Sequence, residues 1–159
     1  MIKRIGRQDW RALRDVRLRA LATDPAAFIE THEQASTFPA ERWQERATPT
    51  ERQASFAYEH GGRFDGLVSC FARDDSATVF LVAMWVAPEL RGSCAARELV
   101  ESVLQWARAG GALRVALSVE GDDPRAARLY EKCGFVETSN PPPFPYEASS
   151  GSRFYVYDL

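Results

Sequence analysis

Histidine and cysteine, which bind most transition metals in proteins, are scarce in this sequence. The two histidines, His32 and His60, lie too far apart to form a local metal motif. The three cysteines, Cys70, Cys94 and Cys133, are odd in number and form no CxxC pair. That pattern argues against both a disulfide framework and a structural zinc site. We therefore expect no metal.

Long apolar runs and an excess of basic residues are also missing. No apolar run approaches the roughly 18 residues that a membrane span requires, and the first seven residues lack the apolar core of a signal peptide. The 20 Lys and Arg residues are matched by 22 Asp and Glu, whereas nucleic-acid-binding domains usually carry a basic patch. We expect a cytoplasmic protein that binds neither membranes nor nucleic acid.

The chain does have the length and apolar content of an ordinary globular domain. Its 159 residues, 45% of them hydrophobic, suit one domain over residues 1–159. Apolar residues at helical spacing predict helices over residues 10–21, 39–43, 95–109 and 124–133. Asp9 and Asp123 can cap the first and last helices, and Pro39 and Pro124 suit a first helical position. Gly134 suits the left-handed position that ends the last helix.

Strands are predicted wherever the apolar period changes to two. They cover residues 1–5, 55–59, 67–72, 78–86, 113–119, 135–138 and 154–159. In the strand over 78–86, Val79, Leu81, Ala83 and Trp85 should face one side. The other side is apolar too, so this strand should be central and covered on both faces.

The strand–helix–strand step over residues 78–119 requires a parallel pair. The rest of the sheet should be antiparallel. The sequence therefore predicts a mixed α/β fold with one core and a central, mostly antiparallel sheet of six or seven strands flanked by helices.

The segment over residues 86–100, VAPELRGSCAARELV, joins the central strand to a helix through small residues. The first amides of a helix have no partner within it, and the helix dipole favours an anion there. Small side chains at Gly92, Ser93, Ala95 and Ala96 would let a phosphate approach these amides. Tight turns also need small residues for packing alone, so this segment by itself is weak evidence.

A second segment, DPRAARLYEKCGF over residues 123–135, follows at a suitable distance. Together the two segments resemble those of the GNAT acetyltransferases. Val86, Pro88, Arg91, Gly92 and Ala96 match the first motif of that family. The second motif is matched by Ala126, Leu129, Tyr130, Glu131, Lys132, Gly134 and Phe135. The opening of the chain, including residues 24–28, is also similar to that of uncharacterised members, so the resemblance spans nearly the whole chain.

The resemblance implies a GNAT fold that binds acetyl-CoA and transfers its acetyl group directly to a primary amine of a small molecule or peptide. The backbone of Met84, Trp85 and Val86 should bind the pantetheine arm. The amides of residues 91–97 should hold the pyrophosphate; these are Arg91, Gly92, Ser93, Cys94, Ala95, Ala96 and Arg97. Asp123 and Ala126 would lie near the cofactor. Tyr130 would donate a proton to the departing thiolate, although a core aromatic at this position is the alternative.

Two residues depart from the family pattern. Cys94 replaces a glycine of the phosphate loop, and its side chain could narrow the site. Asp123 replaces an asparagine, and an ionised carboxylate cannot donate a hydrogen bond as an amide does. A thiol at a helix N-terminus has a lowered pKa, but a residue of the phosphate loop is poorly placed to act as a nucleophile.

The acceptor side is less defined by the sequence. Glu30, Glu33 and His32 are alternative general bases in the presumed substrate loop, where Phe28 also lies. Phe144 and Tyr146, in a proline-rich segment, either border the acceptor site or belong to a stiff loop.

Two other classes of function stay open at this point. A non-catalytic GNAT-fold module could bind acyl-CoA or a protein partner, and a nucleotide-phosphate binder could use the same loop. Family members often form homodimers, so a dimer is a further expectation.

Overall fold

The computed structural model describes residues 1–73, 77–148 and 150–159. It contains five α-helices in the described residues: α1 (Trp10–Thr23), α2 (His32–Ser36), α3 (Ala40–Ala47), α4 (Ala95–Ala109) and α5 (Pro124–Lys132). The strands are β1 (Ile2–Arg4), β2 (Gln53–His60), β3 (Arg63–Ala72), β4 (Thr78–Val86), β5 (Arg114–Val119), β6 (Val136–Thr138) and β7 (Arg153–Asp158). Every predicted strand is present, and β4 has the predicted bounds.

The seven strands form one sheet in the order β1-β2-β3-β4-β5-β7-β6. The β4–β5 pair is parallel and the other neighbours are antiparallel. This arrangement confirms the predicted mixed, mostly antiparallel sheet. Strand β3 starts four residues earlier than predicted because the β2–β3 turn uses only Gly61 and Gly62, both with positive φ, as a tight two-residue hairpin requires.

Both faces of the sheet are covered by helices. Residues of α4 and α5 pack on one face in a cluster that includes Val79, Leu81 and Tyr130. Residues of α1 and α3 pack on the other face in a cluster that includes Trp85 and Trp43. The prediction that β4 is central and buried on both sides is therefore confirmed.

The predicted division of β4 between the two faces is wrong at its second half. Leu67 pairs with Trp85 and Ser69 pairs with Val82, so Val68 lies opposite two residues of β4. This is a β-bulge, and Ala83 within it has φ of 57°. The extra residue reverses the alternation, which turns Trp85 to the face opposite Val79.

The helix starts differ in detail from the predictions. Asp123 caps α5 as expected, because its Oδ1 accepts a hydrogen bond from the Ala126 amide at 3.1 Å. Asp9 directly precedes α1, but its carboxylate accepts from the Gly6 amide at 2.9 Å instead of capping that helix. Pro39 lies at the cap of α3 and not at its first position.

The parallel strands β4 and β5 separate soon after they begin. Their pairing covers three positions, from Thr78 with Arg114 to Phe80 with Ala116. Beyond Phe80, β4 continues through the bulge to Val86 and β5 continues to Val119. The sheet therefore opens between the carboxyl ends of these two strands.

Candidate active site

The edge of β4 that faces this opening is available for hydrogen bonding. Among the described residues, the strand has no β5 partner after Phe80, so the backbone from Leu81 to Val86 pairs only with β3. An extended ligand could add to such an edge as a strand does. The predicted pantetheine contacts, at Met84, Trp85 and Val86, lie on this segment. The carbonyl of Val86 already accepts a hydrogen bond from Arg91 Nε at 3.2 Å.

The loop after β4 leaves several amides free at the start of α4. Of the seven amides of residues 91–97, three are used within the loop. Arg91 donates to Pro88, Ser93 to Leu90, and Ala95 to the Ser93 hydroxyl at 3.2 Å. In the described part of the chain, the other four have no hydrogen-bond partner; they belong to Gly92, Cys94, Ala96 and Arg97. Such a group at a helix N-terminus can bind a diphosphate.

Cys94 does not lie across these amides. Its side chain is exposed and extends along the first turn of α4, where Sγ lies 3.4 Å from the Glu98 carboxylate. The turn itself is made possible by Gly92, which has φ of 84°. The departure from the family glycine therefore adds a side chain beside the loop.

The side chain of Arg91 connects the loop to the opposite layer of the protein. Its Nη2 donates to Asp24, at the end of α1, and Asp24 also accepts from Trp85 Nε1 at 2.8 Å. Burial alone would raise the pKa of Asp24, but the hydrogen bonds from Trp85 and Arg91 outweigh it and lower this pKa. The guanidinium of Arg91 is thus used to fix the loop, and the backbone amide of this residue already donates to Pro88.

Tyr130 lies on α5, on the helical face that packs against the sheet, and is 6% exposed. Its ring centroid lies 5.7 Å from that of Phe135. Burial is the main reason that the pKa of Tyr130 is raised, with smaller contributions from Cys133, Asp123 and Tyr146. The Tyr146 hydroxyl is thus close enough to Tyr130 to interact electrostatically.

A cleft of about 860 Å³ lies on the α1–α3 side of the sheet and reaches the bulge of β4. The residues that line it include Phe28 and Glu30 from the loop after α1, Ala83 from β4, and Tyr146. These positions bring together three of the predicted acceptor-site residues. We refer to this space as the acceptor cleft.

Glu30 is held by two arginines within the acceptor cleft. Its carboxylate accepts hydrogen bonds from Arg17 Nε at 3.1 Å and from Arg46 Nη2 at 2.8 Å. Burial would raise the pKa of Glu30, but these two guanidinium groups more than offset it and the pKa is lowered. A carboxylate stabilised in this way is a poor proton acceptor. The alternatives Glu33 and His32 are exposed on α2 and do not line the cleft.

Glu120 is a carboxylate of the acceptor cleft that the sequence patterns did not single out. It directly follows β5 and accepts hydrogen bonds from Ser118 at 3.3 Å and from Ser152 at 2.9 Å. Ser118 is also 3.1 Å from the Tyr146 hydroxyl. The available signal was its position at the carboxyl end of one strand of the parallel pair, where side chains converge on the opening.

Phe144 belongs to an aromatic cluster beside the cleft. Its ring centroid lies 5.1 Å from Phe80, 5.3 Å from Tyr146 and 5.2 Å from Phe154. These contacts attach the proline-rich segment to β4 and β7. They hold Tyr146 at the cleft, while Phe144 itself does not line it.

The family model for the acetyltransferase (GNAT) family matches residues 13–135. This match covers well over half of the chain, and the chain belongs to that family. Uncharacterised N-acetyltransferases of Mycobacterium bovis and Mycobacterium tuberculosis are each 38% identical to it over 84 residues. That alignment covers 53% of this chain and 53% of each relative, so the chain spans about half the length of the curated relatives it matches.

Solved structures of the family share the fold. A GNAT acetyltransferase from Streptococcus pneumoniae superimposes with a TM-score of 0.77 at 18% identity, over 100% of this chain and 99% of that one. The PaiA N-acetyltransferase from Thermoplasma acidophilum, solved in complex with coenzyme A, gives 0.78 at 12% identity, over 100% and 98%. At these identities the likeness concerns the fold alone.

The described residues contain neither a candidate membrane span nor a candidate metal site. None of the helices there is long and apolar enough to cross a membrane. Within the same residues, no three or more His, Cys, Asp and Glu side chains are grouped as a metal site would require.

Proposed function

We propose that the protein transfers an acetyl group from acetyl-CoA to a primary amine that binds in the acceptor cleft. One observation carries this proposal: the free edge of β4 and the four free amides at the start of α4 lie on one continuous path. A pantetheine arm can pair with the strand edge while the diphosphate binds the amides. The acceptor cleft reaches the same strand at the bulge, so an amine there would meet the thioester end of that path.

In the proposed reaction the amine nitrogen attacks the thioester carbonyl, and the carbon–sulfur bond breaks without a covalent enzyme intermediate. The departing thiolate takes a proton from the hydroxyl of Tyr130. A phenol is protonated at neutral pH, and burial raises the pKa of Tyr130 further, so the hydroxyl carries the proton that it would donate.

We assign the other proton transfer to Glu120. It is a carboxylate on the acceptor cleft beside the opening, and the two hydroxyls that donate to it fix its orientation. The neutral amine is the nucleophile, and the proton that its nitrogen loses as the amide forms would pass to Glu120 directly or through one water molecule. Glu30 is not retained for this role, because its two arginine partners keep it ionised without making it basic.

The test is release of the CoA thiol, measured with acetyl-CoA and a panel of amines, alongside calorimetry of acetyl-CoA binding. We expect acetyl-CoA to bind and at least one amine to be acetylated. Glu120→Gln should lower kcat at neutral pH while the affinity for acetyl-CoA is kept. Absence of acetyl-CoA binding would exclude the proposal. Binding without turnover of any amine would support the alternative of a non-catalytic module.

A further inference from the structure

The acceptor cleft contains three arginines that are only partly neutralised. Arg17 of α1 and Arg42 and Arg46 of α3 all line it, and we call them the arginine cluster. Arg17 and Arg46 share a single carboxylate, that of Glu30. Two cations on one anion leave a surplus positive charge before Arg42 is counted.

Arg42 has no acidic partner among the residues that the structure describes. Within the described ranges, no carboxylate lies at ion-pair distance from its guanidinium group, which stacks 3.6 Å above the centroid of the Phe38 ring. Stacking uses the face of the guanidinium plane and leaves its N–H edge free to bind an anion. The side chain is exposed to the cleft.

Arg17 contributes a second unsatisfied donor. Its Nη1 atom is buried and has no hydrogen-bond partner among the described residues, while the guanidinium carbon lies 4.7 Å from the centroid of the Phe28 ring. Buried N–H groups of this kind are nearly always paired in folded proteins. An anionic acceptor atom that reached this donor would therefore be bound favourably.

The opposite end of the cleft is acidic and polar. Glu120, Ser118 and Tyr146 meet there through hydrogen bonds of 3.1 to 3.3 Å. The cleft thus has a basic end between α1 and α3 and an acidic end beside β5. Its lining includes three guanidinium groups and two carboxylates, a formal excess of one positive charge, which matches one carboxylate better than a phosphate dianion.

We infer that the acceptor is an amine that also carries a carboxylate, such as a free amino acid or the terminus of a short peptide. The carboxylate binds the N–H edge of Arg42 and the unpaired donor of Arg17, and the amine lies toward Glu120. This inference rests on the proposed function for its chemistry, but the binding of a carboxylate ligand in the cleft does not depend on acetyl transfer.

The experiment compares acceptors in matched sets: an α- or ω-amino acid, its primary amide and the corresponding decarboxylated amine. Thiol release is measured for the wild type and for Arg42→Gln, with Arg11→Gln as the matched control. Arg11 also stacks on an aromatic ring, 4.4 Å from the Trp10 centroid, but does not line the cleft. Phosphoethanolamine is included as a phosphate-bearing amine.

We expect kcat/KM for the carboxylate-bearing acceptor to exceed that of its amide and amine by about tenfold or more, as a charged hydrogen bond to arginine allows. Arg42→Gln should remove this preference through KM, with little effect on the decarboxylated amine, and Arg11→Gln should keep it. Equal or faster turnover of the amides and amines, or a preference for phosphoethanolamine, would overturn the inference and leave the proposed function intact.

Calorimetry decides the case in which no acceptor is turned over. The amino acids and their N-acetyl derivatives are titrated against their uncharged counterparts, with and without CoA. Selective binding of the carboxylates that Arg42→Gln abolishes would support the inference even if acetyl transfer failed. No selective binding would overturn it.

Discussion

The two sides of the β4–β5 opening are proposed to bind through different parts of the chain. On the cofactor side, the candidate contacts are backbone groups: the edge of β4 and four amides at the start of α4. On the acceptor side they are charged side chains from α1, α3 and the residue after β5. Backbone binding tolerates many sequences as long as the turn is kept, whereas side-chain binding changes with each substitution. On the cofactor side, acetyl-CoA binding should therefore be weakened by added bulk or charge near the loop. On the acceptor side, removal of a single charged group should have a large effect.

Tyr130 belongs to neither of these categories, because it is a side chain expected to serve the cofactor side. Tyr130→Phe removes the proposed acid and keeps the ring that packs against Phe135. We expect kcat to fall about 100-fold, the lower range for the loss of a positioned proton donor. Stopped-flow or steady-state thiol release gives kcat, and calorimetry should give the same acetyl-CoA affinity as the wild type. Unchanged kcat with a genuine acceptor would assign Tyr130 to packing alone.

The acceptor side should lose stability when its central carboxylate is neutralised. Glu30→Gln leaves Arg17, whose side chain is 12% exposed, and Arg46 facing each other without a shared anion. We expect a loss of about 2 kcal/mol in the free energy of unfolding at pH 7, or roughly 30-fold in the unfolding equilibrium. Urea denaturation measures this loss, with Glu33→Gln on α2 as the exposed control.

The effect of Glu30→Gln should depend on pH in one direction. The pKa of Glu30 is lowered in the folded protein from its ordinary 4.5, so the carboxylate stabilises the fold above that pH. This contribution is lost as the pH falls through the folded pKa. The stabilities of wild type and variant should therefore converge in acid. A difference that stayed constant down to pH 3 would show that charge is not the cause.

The cofactor side should be sensitive to added negative charge beside the loop. Cys94→Glu places a carboxylate next to the amides that are proposed to bind the diphosphate, at an exposed position. Repulsion should raise the Kd for acetyl-CoA about tenfold, which corresponds to about 1.4 kcal/mol. Cys94→Gln adds a side chain of nearly the same shape as glutamate but without the charge, and this variant should bind acetyl-CoA as the wild type does. Equal affinities for the two variants would contradict the assignment of this loop.

The difference between the two sides also decided what could be predicted from the sequence. The cap at Asp123 and the turn at Gly92 depend on neighbours within a few residues, so their patterns were sufficient. The turn of Trp85 to the other face was missed, because it depends on a bulge with positive φ at Ala83, a conformation disfavoured for a residue with a Cβ. The sequence left Glu30 open as a base, because its two arginine partners are not evident from the sequence. They lie 13 and 16 residues away along the chain and meet Glu30 only in the folded protein.

The smallest expected effect comes from the contact that joins the two sides. Asp24→Asn keeps an acceptor for Trp85 but removes the charge that holds Arg91 against the loop. We expect the Kd for acetyl-CoA to rise about threefold, since a partly exposed ion pair contributes at most about 1 kcal/mol. Because the pKa of Asp24 is lowered, the wild type should keep this advantage at neutral pH and lose it as the pH falls through that pKa. Calorimetry at pH 7 measures the affinity, and Asp15→Asn on the same helix is the exposed control. If Asp24→Asn changed the KM for the acceptor and left the Kd for acetyl-CoA unchanged, the contact would belong to the acceptor side. Our division of the site into two sides would then be wrong at the end of α1.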